Sequence, residues 1–93
     1  MQIEHVEEET KGSFRIMQEN REAALMTYSR AGAKMIIIDH TEVSDSLRGM
    51  GAGKKLVFAA VDYARKNKLR VLPLCPFAKS VFDKMEEIRD VLR

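Results

Sequence analysis

Cysteine occurs once in this 93-residue chain, tryptophan not at all, proline twice and histidine twice, and only 6% of the residues are aromatic. A single thiol excludes an internal disulfide framework and a cysteine-rich zinc site, and it suits a reducing compartment. Two histidines among scattered carboxylates make a dedicated metal site an unattractive reading, so no metal is expected. Long apolar runs are missing as well. The longest, residues 56–61 and 35–38, fall far short of the roughly 20 residues that cross a bilayer, so no membrane partner is expected. The opening stretch, MQIEHVEEET, is acidic and lacks the apolar segment of a signal peptide, which places the protein in the cytoplasm as an expectation. The net charge of +2 is too small to imply nucleic acid, and few aromatics leave no stacking platform for single strands.

What is present is the balance of a folded domain: 45% hydrophobic and 32% charged residues. Two cores would each be marginal at this length, so residues 1–93 read as one domain, expected as a monomer or weak homodimer. The charge is unevenly spread. Residues 44–70 hold seven bases (Arg48, Lys54, Lys55, Arg65, Lys66, Lys68, Arg70) against Asp45 and Asp62, so the middle of the chain suits an anion.

Periodicity divides the chain in two. Short runs at residues 2–6, 13–18, 23–30 and 34–43 alternate or cluster β-branched and apolar side chains, and Lys11-Gly12, Glu19-Asn20 and Ala31-Gly32 lie between them as turns. After Gly53 the period lengthens: Leu56, Val57, Ala60, Val61 and Ala64 share one helix face, predicting a helix over 54–66. Residues 69–74 suit a short buried strand. Pro76 suits the first position of a last helix, whose face (Phe77, Val81, Met85, Ile88, Leu92) runs to the end of the chain. The expected fold is α+β, in the order β-β-β-β-α-β-α, with one parallel crossover. The six methionines read as core filling, and His5, among Glu4 and Glu7 to Glu9, as a solvated residue.

Residues 47–56, LRGMGAGKKL, join the longest predicted strand to the first predicted helix. Glycines at alternate positions let backbone come close to a ligand, and a helix starting just beyond them offers free N–H groups and a positive dipole end. Arg48, Lys54 and Lys55 add charge to this anion cradle. The plainer reading is a tight strand-to-helix turn. Two nucleotide motifs fail on spacing: a P-loop needs glycine five positions before Gly53, where Arg48 stands, and Ser or Thr after Lys54, where Lys55 stands. The Rossmann spacing is also absent.

Arg48-Gly49-Met50-Gly51-Ala52-Gly53 resembles the R-x-x-G-x-G/A pyrophosphate loop of the GNAT acetyltransferases, at the junction where that superfamily carries it. The chain as a whole resembles the short, stand-alone GNAT-like proteins through His40-Thr41-Glu42-Val43, Leu47-Arg48-Gly49 and Pro73-Leu74-Cys75-Pro76-Phe77. The resemblance implies acetyl-CoA as co-substrate and an amine acceptor that the motifs do not name. It implies that Arg48, Gly49, Met50, Gly51, Ala52, Gly53 and Lys54 hold the pyrophosphate and that the backbone near Val43 binds the acetyl-pantetheine arm. The C-terminal strands that complete the acceptor site in longer GNAT enzymes have no counterpart in this sequence.

Cys75, just before Pro76, is placed at the N-cap of the last helix. The dipole and Lys79, one turn along, are expected to lower its thiol pKa. Two readings stand: a small buried hydrophobe, or a nucleophile, and the family resemblance implies that this cysteine accepts acetyl. His40 and Glu42 share one strand face and are candidates for the general base toward the amine, or else an ordinary polar pair. A non-catalytic CoA binder or acetyl carrier is the competing function.

Overall fold

The computed structural model describes residues 2–93. The alternating first half forms an antiparallel meander of β1 (Ile3–Glu7), β2 (Lys11–Gln18), β3 (Arg21–Arg30) and β4 (Met35–Val43). A 3-10 turn, Asp45–Leu47, leads into α1 (Ala52–Asn67). β5 (Arg70–Pro73) returns parallel to β4, so the sheet order is β1-β2-β3-β4-β5. α2 (Pro76–Lys84) and a second 3-10 segment, Glu86–Val91, follow. This is the α+β order that the periodicity implies, with its parallel crossover in place.

Alternate residues of the central strands, Phe14 and Ile16, Met26 and Tyr28, Ile36 and Ile38, are buried on one face of the sheet. Against that face α1 lays Leu56, Val57, Ala60, Val61 and Ala64, all removed from water. Each large apolar side chain so buried contributes about 1.5–3 kcal/mol. α2 packs on α1 and on β4 and β5. Among the described residues the other face of the sheet carries no helix packing and holds half-exposed or polar residues such as Arg15, Thr27, His40 and Glu42.

Two irregularities change which side chains face the helices. Between Ile16 and Met17 the β2–β3 register slips, and Ala23 is the extra residue. Between Thr27 and Tyr28 the β3–β4 register slips, and Asp39 is extra: Tyr28 pairs with Ile38, but Thr27 pairs with His40. A one-residue bulge exchanges the two faces beyond it. Ile38 and Thr41 therefore both point to the helix side, while His40 and Glu42 point away. The row His5, Phe14, Met26, Thr41 runs across the helix face, and the row Glu4, Arg15, Leu25, Glu42 across the other.

Several sequence expectations shift. Glu19 and Asn20 do form a hairpin turn, both with positive φ (50° and 63°), but Lys11 and Gly12 belong to β2 rather than to a turn. The first reversal lies instead over residues 8–10, closed by Glu8 N–H donating to the Lys11 carbonyl at 2.9 Å. The last helix stops at Lys84. Arg89 donates Nε–H to the Phe82 carbonyl at 2.8 Å and an Nη2–H to that of Asp83, which caps the end of α2 and turns the chain into the 3-10 segment. Ile88 and Val91 still reach the core from that segment. Of the methionines, Met26 is fully buried, but Met50 is 54% exposed and fills no core; Met1 lies outside the described residues.

Candidate active site

A cavity of about 520 Å³ opens where the end of β4, the glycine turn, the first turn of α1 and one side of α2 along its length converge. Thr41 and Val43, brought to this side by the bulge, form its β4 wall. Of the residues the sequence nominated for the anion, Val43, Arg48, Gly49, Gly51, Ala52, Gly53 and Lys54 line it. Met50 does not; its side chain stands out in solvent.

The turn is shaped for backbone recognition. Gly49 and Gly51 take positive φ values of 83° and 72°, a region that strains any side chain, and space is open where a Cβ would stand. Gly51 is the N-cap of α1 with no side-chain capping bond, so the N–H groups of the first helical turn have no partner from the helix or its cap. Gly53 needs to be glycine for another reason: a Cβ there would lie 2.6 Å from the ring of Phe77 on α2. The lining carries three cations, Arg48, Lys54 and Lys84, and no acid. Arg48 is oriented by Asp45 at 2.8 Å, and the Lys54 ammonium lies 5.7 Å from the Phe58 ring centroid. Two of the remaining basic residues of the middle stretch serve other ends: Arg65 pairs with Asp90 at 2.6 Å, and Arg70 donates to the Asp90 carbonyl.

β5 pairs with β4 only from Met35 to Ile38; Leu74 and Cys75 then both donate their N–H to the Ile38 carbonyl, at 3.1 and 3.2 Å. The two strands part there, and Cys75 becomes the N-cap of α2 with Pro76 behind it. Its Sγ lies 3.4 Å from Thr41 Oγ1, the same Thr41 that lines the cavity. Burial pushes the thiol pKa up, but hydrogen bonds from the Thr41 hydroxyl and from the backbone N–H groups of Ala78, Phe77 and Thr41 outweigh it, so the net shift is downward. Lys79 has no part in this: it turns to Asp83 at 3.3 Å.

His40 and Glu42 form a pair, Nε2 to Oε1 3.1 Å, on the uncovered face of the sheet and not in the cavity. Glu42 borders a second, smaller hollow of about 380 Å³, and Val43 is a wall of both hollows. Sequence reasoning missed Thr41, Leu47, Phe77, Ser80, Val81, Lys84 and Met85 as cavity residues. Thr41 and Phe77 lay within the quoted motifs, but only the bulge and the Gly53 contact give them roles.

His5 is likewise more than solvated. Its Nε2 is 2.6 Å from the Tyr28 hydroxyl and its ring stacks on Phe14 at 4.1 Å, and partial burial lowers its pKa against the opposing charge of Glu7.

No helix among the described residues is long and apolar enough to cross a membrane. Comparison with known proteins agrees with this architecture. A GCN5-like protein from Staphylococcus aureus, whose structure was solved by NMR, superposes with a TM-score of 0.75 at 42% identity, over 97% of this chain and 87% of that one. An aminoglycoside N-acetyltransferase in complex with CoA shares the fold at 14% identity, TM-score 0.61, over 83% of this chain and 67% of its own. Protein NATD1 of Xenopus tropicalis is 31% identical over 75 residues, which are 81% of this chain and 68% of that protein. The match to NATD1 of Bos taurus, 36% over 52 residues, spans 56% of this chain and 46% of the bovine protein, so the chain corresponds to about half to two thirds of these relatives. Residues 13–91 match the family described as GCN5-related N-acetyl-transferase, and to that family this chain belongs.

Proposed function

We propose that the protein is an acetyl-CoA-dependent N-acetyltransferase that carries the acetyl group on Cys75 before passing it to an amine. Family membership supports the general activity, and a CoA complex of a protein of the same fold supports the co-substrate. The observation that carries the finer reading is the junction at Thr41: one side chain borders the cavity and touches a thiol of lowered pKa.

The residues fit the ligand. At about 520 Å³ the cavity lies within the roughly 300–1,000 Å³ of ordinary ligand pockets. The unpartnered N–H groups after Gly51, with Arg48, Lys54 and Lys84, suit a pyrophosphate. The unpaired edge of β4 beyond Ile38 suits an amide-containing arm that adds to it as a strand would. When bound, acetyl-CoA supplies an activated thioester carbonyl.

Cys75 acts as nucleophile. Its thiolate attacks that carbonyl, the carbon–sulfur bond to CoA breaks, and CoA leaves as a thiolate, giving acetyl-Cys75. Because one thioester replaces another, the protein has mainly to position the partners and to stabilise the oxyanion. The acceptor amine then attacks acetyl-Cys75, loses a proton to a base and regenerates the thiolate. For an amine that enters from the uncovered face through the gap where β4 and β5 part, the His40–Glu42 pair is the proposed base; an unchanged rate and pH profile in His40→Ala would remove it.

Intact-mass spectrometry after mixing with acetyl-CoA tests the central step. Wild-type protein is expected to gain one acetyl adduct and Cys75→Ala none, and alkylation of Cys75 should show a midpoint below the ordinary thiol value of about 8.5. An undiminished adduct in Cys75→Ala overturns the covalent step. An adduct that no amine discharges identifies an acetyl carrier instead.

A further inference from the structure

Three observations meet in Phe77. Its ring is seated against the α1 backbone at Gly53, where even a methyl group would collide with Cε2 and Cζ. Its own backbone N–H is one of the donors to the Cys75 sulfur. And it lines the cavity while 41% exposed, one of few large apolar side chains left open to water among the described residues. The ring thus touches the first turn of the anion cradle while its backbone holds the thiol, which is itself buried behind the lining and meets the cavity at Thr41. Across the cavity stand Thr41 and Val43, and Val81 and Met85 continue the apolar lining.

We propose that Phe77 is a specificity-determining residue that limits the acyl group to a short chain, by filling the space between the α1 start and the Thr41–Cys75 contact. The proposal rests on the reading of the cavity as an acyl-CoA site and adds to it the class of acyl group accepted. An apolar pocket separates ligands one methylene apart by about tenfold or somewhat more, which is the scale of selection a single ring offers. Because the ring position is dictated by the bare Gly53 backbone, the limit is set by two elements distant in sequence.

The test compares the equilibrium affinities of CoA, acetyl-CoA and butyryl-CoA, all in the Cys75→Ala background, where acyl transfer to sulfur cannot blur binding. With Phe77 present, acetyl-CoA is expected to bind more tightly than butyryl-CoA. In Phe77→Ala the ratio should shift toward butyryl-CoA by about tenfold or more, and Phe77→Leu should shift it in the same direction by less. Should Phe77→Ala fail to fold, Phe77→Leu alone decides the sign. A ratio unchanged within about twofold in a variant that still binds CoA overturns the role of Phe77 and leaves the acyl-CoA site standing. A lack of saturable CoA binding with Phe77 intact overturns the site itself.

Discussion

Toward its C-terminus α1 is tied both to the sheet and to the C-terminal segment. Tyr63 meets the rings of His5, Tyr28 and Phe14 at centroid distances of 4.6, 5.9 and 6.0 Å; its hydroxyl donates to Glu7 at 2.7 Å and accepts from Arg30 at 2.9 Å. Arg65 adds two hydrogen bonds to the Asp90 carboxylate, and the Lys68 N–H donates to the Ala64 and Arg65 carbonyls of the last turn. The N-terminus of the same helix has nothing comparable. Gly51 offers no capping side chain, and the first turn faces a cavity walled with cations. A polar group left unmade in the protein is a group available to a ligand, and a helix can be left open at one end only if the other end holds it.

That contrast predicts a separation of effects. Damage at the closed end should lower stability and spare affinity. Tyr63→Ala removes a half-buried ring from a four-ring cluster and strands the hydrogen bonds of Glu7 and Arg30, and is expected to cost about 2–3 kcal/mol in chemical denaturation. CoA affinity measured well below the unfolding transition should stay within about twofold of wild type. A parallel fall in affinity would mean that the two ends are coupled.

Damage at the open end should do the reverse. Arg48 is largely exposed and held only by Asp45, so Arg48→Ala is expected to leave stability within about 0.5 kcal/mol. Loss of a charge-assisted contact to phosphate should weaken CoA binding by about tenfold and flatten its dependence on salt. Unchanged affinity at low salt would show that the helix amides, without Arg48, hold the anion.

The strand and helix order was legible because apolar spacing at two and at 3.6 residues is set by the one face each element buries. The anion loop was legible for a different reason: Gly49, Gly51 and Gly53 are tolerated together only where backbone conformation or close approach demands them. The side-chain directions of His40, Thr41 and Glu42 were not. Strict alternation carries no mark of the extra residue at Asp39, whose side chain accepts a hydrogen bond from Ser29 at 2.7 Å and so settles into a bulge that only the β3–β4 pairing reveals. Phe77 escaped for the same reason, since its partner Gly53 lies 24 positions away. The end of α2 depended on Arg89 turning back to the Phe82 carbonyl, a contact that a continuing apolar face at Met85, Ile88 and Leu92 conceals.

The smallest effect expected belongs to His5, at the closed end. Its ring is stacked on Phe14 and hydrogen-bonded to Tyr28, and partial burial lowers its folded-state pKa below the unperturbed value of about 6.5, with Glu7 pulling the other way. A lowered folded pKa means that the unfolded chain takes up the proton first as pH falls. The stability that neutral His5 provides is therefore complete above about pH 6.5 and is lost as pH drops from there toward the folded pKa. Glu7 favours the added charge, and the Tyr28 and Tyr63 hydroxyls stay neutral throughout, since both have raised pKa values. The loss should be small because Glu7 narrows the window and the ring keeps one side in solvent. Thermal unfolding of wild type and His5→Phe at pH 7.5 and 5.5 isolates it, because the carboxylates titrate alike in both proteins. Wild type should lose more stability on acidification than the variant, while CoA affinity in each shifts equally; an identical acid loss would assign the pH response to other groups.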